Sequence, residues 1–196
     1  MKPVIILGAG GHATVLISSL QRLGRTLLGV TCKPSSKVDQ VLGVPILGSD
    51  DEINRWSPED VDLVNGIGMT IGGKSARHYC ADTMRTLGFR FCSVIDPEAV
   101  VLPGANVSEG AQVMAGAIIQ PGVNIGKDAI VNTGVQIDHG CTVGSGSHLC
   151  PGTILAGDVC IGMDTVVGSG SVIIPGIEIG DCRIIRAGSV VTSSVI

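Results

Sequence analysis

The chain is 196 residues long, 44% hydrophobic but only 2% aromatic, with a formal net charge of −4. That length supports one large domain or two modest ones with aliphatic cores. It carries no basic run to form a nucleic-acid footprint and no stretch of eighteen apolar residues to span a membrane.

The opening MKPVIILGAGGHATVLISSL has an apolar run, but glycines and His12 break it, so it reads as strand, loop and helix rather than an export leader. Val4–Leu7 is the first strand, and Ala13–Leu23 has apolar residues at helical intervals, with Gly24 as its C-cap. Thr26–Val30 is a second strand. Asp50 and Asp51 precede a short helix through Trp56, Val61–Asn65 is a third strand, Ser75–Leu87 is a helix ended by Gly88, and a strand follows near Phe89–Ile95. This alternation predicts, for residues 1–94, a small parallel sheet with helices on its faces, an α/β domain.

Gly8-Ala9-Gly10-Gly11-His12-Ala13 fits the pattern G-x-G-x-x-A between a strand and a helix. There, backbone N–H groups and the helix N-terminus can meet a phosphate. A dinucleotide would want an acid at the end of the second strand, where Thr31 and Cys32 stand, so NAD is disfavoured. A nucleotide or nucleotide sugar fits better, with Gly68 after the third strand on the same sheet edge. A tight turn without a ligand is the plain alternative.

Near Ile95 the period changes to six. Every sixth residue from Ile95 to Val191 is Ile, Val or Leu, which marks a solenoid whose repeats cover one another. The fourth residue of each hexad is mostly Gly, with Asp at 128, 158 and 164, residues that tolerate the left-handed backbone of a tight corner. The fifth is small, as at Ala105, Ala117, Cys141 and Ser171. Three hexads per coil make a triangular prism of five to six coils over residues 95–196. Arg183 stands where small residues stand elsewhere, which predicts an irregular last coil. An ice-binding solenoid would show a flat Thr ladder, and there is none.

Two of the four histidines lie in this repeat: His139 is third in its hexad beside a corner, and His148 is sixth in the next, neither pointing inward. An imidazole on an aliphatic prism is a candidate for proton removal near neutrality. Seven cysteines, an odd number without CxxC or paired spacing, suggest free thiols in a reducing cytoplasm and no metal site. Cys141, at a small inward position, reads as a buried and inert thiol rather than an acyl carrier.

GAGGHA, VLGVPILGSDDEI, NGIG and the string NTGVQIDHGCTVGSGSHLCPGTILAGDVCIG together resemble the bacterial sugar acetyltransferases of the sialic acid O-acetyltransferase (NeuD/PglD-like) family, over nearly the whole chain. The resemblance implies a Rossmann-like domain followed by a left-handed parallel β-helix, and a homotrimer with shared active sites. It implies acetyl-CoA as co-substrate and a sugar acceptor, often a nucleotide-linked amino sugar. His139 matches the general base, and His148 a histidine contacting acetyl-CoA. Gly157 matches a glycine whose N–H faces the thioester carbonyl, with Ser169 and Ala187 also on the acetyl-CoA side. Gly10, Gly11, His12 and Gly68 match the lip for the nucleotide sugar.

The sequence departs from that pattern in three places. Gly140 stands where the family has an acid after the histidine, leaving Asp138 as the neighbouring carboxylate. Thr31-Cys32 replaces an acidic pair after the second strand, and the sequence stops at Ile196 without the Gly-x-Pro-Ala segment that helps enclose CoA. These departures motivate a rival reading, a non-catalytic scaffold that binds nucleotide sugar. Serine- or maltose-type acetyltransferases fit less well because of the glycine-rich first half. A sugar nucleotidyltransferase lacks its Gly-, Lys- and Arg-containing signature here.

Overall fold

Val4–Leu7 forms β1, every residue of it buried, which is what a continuous aliphatic run does at the centre of a parallel sheet. The computed structural model describes residues 1–33, 39–68 and 76–196, in two compact units, Met1–Val94 and Ile95–Ile196. In the first unit, helix α1 (Gly11–Arg22) follows β1 and buries Ala13, Leu16, Ile17 and Leu20. Gly24 takes φ +66° just past its end. Next come β2 (Leu27–Thr31), β3 (Gln40–Val41), β4 (Val44–Gly48), a 3-10 helix Asp50–Arg55, β5 (Asp62–Asn65) and helix α2 (Ala76–Thr86). The sheet order is β3-β4-β2-β1-β5, parallel except for the β3–β4 hairpin.

One expectation changes here, and one element is new. The span Phe89–Ile95 is not one strand. Phe89 and Phe91 are buried, yet Phe91 makes a single bridge to Leu63, and only Val94–Ile95 is extended pairing. Its apolar residues anchor the segment without a ladder. The hairpin β3–β4 was not anticipated, because its turn places Leu42 (φ 48°) and Gly43 (φ 79°) in the left-handed region, where Leu gives no warning. Ser75, expected to start the second helix, lies outside the described residues.

In the second unit each hexad supplies one two-residue strand, paired in parallel with the strands eighteen residues before and after. Ile118–Ile119, for example, lies between Val100–Val101 and Gln136–Ile137. Three ladders result. The first runs through Val100, Ile118, Gln136, Ile154, Val172 and Val190, and the second through Asn106, Asn124, Thr142, Cys160 and Glu178. The third includes Gln112, Ile130, His148, Val166 and Ile184. The recurring Ile, Val and Leu point inward and are buried from Val113 to Ile185, each contributing about 1.5–3 kcal/mol of burial. Every fourth-position residue from Gly104 to Gly188 has φ between 54° and 89°, Cys182 among them. Arg183 does not make the last coil irregular. It is exposed, its N–H donates to Thr165 Oγ1 (3.0 Å), and Ile184–Ile185 stay in register with Val166–Val167. Its side chain leaves the prism, so the coil needs no room for it.

Candidate active site

In the first unit the glycine loop lies at the carboxyl ends of β1 and β5, where the strand order reverses, the usual ligand position in an open α/β sheet. Gly8 turns the chain with φ +91°. Gly10 caps α1, and both Gly10 and Gly11 are exposed with open space where a Cβ would stand. Ala13 packs against Gly66, where any Cβ would sit 2.8 Å from Ala13 and from Ile6. Gly68 faces His12, a Cβ there being 3.7 Å from that of His12. Gly10, Gly11, His12 and Gly68 thus stand together at one edge of the sheet, with Gly10 and Gly11 open to solvent.

Thr31 is fully buried beneath this lip. Its hydroxyl accepts the Gly8 N–H (3.2 Å) and donates to Asp50, so it holds the loop rather than meeting a ribose. Arg77, on α2, went unrecognised in the sequence because nothing distinguishes it from a surface arginine. It is fully buried and donates through Nη1 to the carbonyls of Asn65 (2.8 Å) and Ile67 (2.9 Å). Asn65 returns the bond to Arg77 O (2.9 Å) and accepts the Ile67 N–H (3.1 Å). A buried charge donating to two carbonyls braces the strand end that carries Gly66–Gly68. Cys80 nearby donates to Asp50, and burial, with that carboxylate, pushes its thiol up to about 12.

In the second unit His139 sits exposed at the corner between the first and second ladders. Gly157 is one coil on, at the same hexad position. A Cβ at Gly157 would stand 2.7 Å from the imidazole Cε1 and 2.9 Å from Nε2, so the ring rests on bare backbone. The Gly157 N–H donates to no acceptor among the described residues, while its carbonyl accepts from Gly176 (3.0 Å). Asp138 Oδ1 accepts the backbone N–H of His139 itself (2.8 Å), which turns that carboxylate toward the main chain. Cys141 is buried behind the corner. Its thiol donates to Ala156 O (3.0 Å), and burial raises its pKa.

His148, Ser169 and Ala187 lie elsewhere on the prism. Nine residues separate His139 from His148, half of an eighteen-residue coil, and His148 belongs to the third ladder, opposite the corner of His139. Its Nε2 meets Asn132 Nδ2 at 3.1 Å. Because Asn132 Oδ1 accepts the Thr133 N–H (2.8 Å), its amide group is the donor and Nε2 the acceptor. Asn132, Ser169 and Ala187 all stand at the corner between the third and first ladders. The structure therefore gathers His139, Asp138 and Gly157 at one end of the first face, with Asn132, Ser169 and Ala187 at the other and His148 beside them.

Among the described residues, no group of three or more His, Cys, Asp or Glu could hold a metal ion, and no helix is long and apolar enough to cross a membrane. The PglD N-terminal domain family model matches residues 3–84. Perosamine N-acetyltransferase from Caulobacter crescentus, solved as a His-to-Asn variant with CoA and GDP-perosamine, is 36% identical. It aligns with 100% of this chain and 90% of its own, with a TM-score of 0.90. The acetyltransferase domain of PglB from Neisseria gonorrhoeae, in complex with acetyl coenzyme A, is 28% identical, with 100% and 93% of the two chains covered and a TM-score of 0.89. No curated protein matches significantly. Fold and corner define an acyltransferase built on a left-handed parallel β-helix of hexapeptide repeats. The chain belongs to the PglD-like sugar acetyltransferases of that superfamily, enzymes that use acetyl-CoA as co-substrate.

Proposed function

We propose that this enzyme acetylates the amine of a nucleotide-linked amino sugar by direct transfer at His139. The observation that carries the reading is the packing of that imidazole against the bare Cα of Gly157, whose N–H has no acceptor among the described residues. The amine nitrogen attacks the thioester carbonyl and His139 takes its proton. The carbonyl oxygen, becoming negative, accepts from Gly157 N–H, a preorganised donor. The C–S bond then breaks and the CoA thiolate recovers the proton. No covalent acyl-enzyme is needed when both substrates are held together, and Cys141, buried and protonated, is unsuited to form one. The glycine lip, with exposed backbone at Gly10 and Gly11, suits the phosphates of a nucleotide sugar. GDP-perosamine in the Caulobacter relative supports that class of acceptor.

The acetyl-CoA site is completed by a second copy of the chain in a homotrimer. The first face of the prism presents Val100, Ile118, Ile154 and Val190, all exposed, an apolar stripe that a three-fold axis would cover. With that face turned inward, the His139 corner of one protomer meets the corner carrying Asn132, Ser169 and Ala187 of the next, with His148 hydrogen-bonded to Asn132. Residues that one prism holds apart then border a single cleft. Seven free cysteines suit a reducing cytoplasm, where acetyl-CoA is made.

The test is mass spectrometry of products from a panel of nucleotide sugars with acetyl-CoA, repeated with His139→Ala. An added acetyl on an amino sugar is expected, with kcat lower by about 10²–10⁴-fold in the variant and acetyl-CoA affinity unchanged. Acetylation of hydroxyls only, or full activity in the variant, would contradict the acceptor or the base respectively.

A further inference from the structure

We propose that Asn132 is a positioning residue for acetyl-CoA: it keeps the proton of His148 on Nδ1 and holds that ring in place; this rests on the reading that His148 meets acetyl-CoA. The two residues are sixteen apart, two short of a full coil. Ile130 pairs directly with His148 in the third ladder. Asn132, two residues beyond Ile130, therefore points the same way, outward, as a diagonal neighbour of the histidine. The backbone ties the same two rungs together, since the Asn132 N–H donates to Leu149 O (3.0 Å).

The polarity of the side-chain contact follows from the other bonds of the amide. Asn132 Oδ1 accepts both the Thr133 N–H (2.8 Å) and the Thr133 hydroxyl (3.4 Å), so the oxygen is committed on that side. Nδ2 is then the atom that faces His148 Nε2, at 3.1 Å. An amide nitrogen only donates, so Nε2 must offer its lone pair, and the proton of a neutral imidazole sits on Nδ1. A ring protonated at both nitrogens would set two donors against each other here. The ladder neighbours of His148 are Ile130 and Val166, both apolar and buried, so neither adjoining strand supplies a charge to the ring. Asn132 thus acts through His148. It presents one tautomer in one plane, and binding need not select it from several.

Asn132→Asp keeps the shape but replaces the donor by an acceptor. In nitrogen NMR of histidine-labelled protein, with the signals assigned through His148→Gln, the unmodified chain should show His148 protonated at Nδ1 and bare at Nε2. Asn132→Asp should move a proton onto Nε2. Asn132→Ala, which adds no charge, should raise the KM for acetyl-CoA by roughly three- to tenfold, the size of one lost hydrogen bond, with kcat within about twofold. A ring protonated at Nε2 in the unmodified chain, an unchanged signal in Asn132→Asp, or an unchanged KM in Asn132→Ala would each overturn the proposal. The kinetics of His148→Gln separate the two readings. If its KM for acetyl-CoA is unchanged, the place of His148 at acetyl-CoA falls, and the proposal with it. If that KM rises while Asn132→Ala leaves it unmoved, His148 keeps its place and only the positioning role of Asn132 falls.

Discussion

The two units keep their working residues in opposite relations to their scaffolds. In the β-helix the first-position Ile, Val and Leu hold the coil, while the residues proposed for the chemistry, His139, Gly157, Ser169 and Ala187, all stand on outer corners at the third position. In the α/β unit the lip is made by buried groups reaching across the sequence: Thr31 to Gly8, and Arg77 to Asn65 and Ile67. A solenoid decouples site from core because each coil repeats the same support. A sheet edge assembled from distant segments cannot, so stability and ligand binding there should move together.

The sharpest way to break that contrast is to damage the buried support. Arg77→Met leaves the carbonyls of Asn65 and Ile67 without their donor, at a cost of about 1–3 kcal/mol for each. Both the melting temperature and nucleotide-sugar affinity should fall; calorimetry and a binding titration check it. Gly157→Ala should do the reverse. A methyl there would meet the His139 ring at 2.7 Å, displacing the imidazole and lowering kcat by about tenfold or more, with the melting temperature unmoved. A smaller effect follows from Cys80. Its thiol is raised to about 12 from 9.0, so above pH 9 the unfolded chain releases a proton that the folded chain keeps. That contribution is complete below about pH 9 and is lost progressively toward pH 12. Cys80→Ala should flatten the decline in melting temperature over that range.

The same contrast governs what could be read in advance. The hexad places every inward residue of the coil and the corner of His139, because a strict period carries geometry with it. Even the half-turn between His139 and His148 is implicit in nine residues out of eighteen. That Asp158 Oδ1 fills the space a Cβ at Gly140 would take is not, because it depends on which way a side chain leans between coils. In the α/β unit, β1, α1 and the glycine loop were legible from apolar periodicity and turn chemistry. The burial of Arg77 was not, since Cys80, Ala81 and Met84 mark the same helix face and only tertiary contact sets a charged residue among them. Thr31 appeared in the sequence as a missing acid and is instead the clasp of the loop.

The central claim, a site built by His139 of one prism and the His148 corner of another, is tested most directly by mixing subunits. Co-expressed His139→Ala and His148→Ala chains, each impaired alone, should form mixed trimers in which roughly a quarter of the interfaces pair two intact corners, given a cyclic head-to-tail interface. Activity near that fraction of the unmodified enzyme is the predicted result. Activity no higher than the mean of the two parents would contradict it, since both histidines would then serve within one chain.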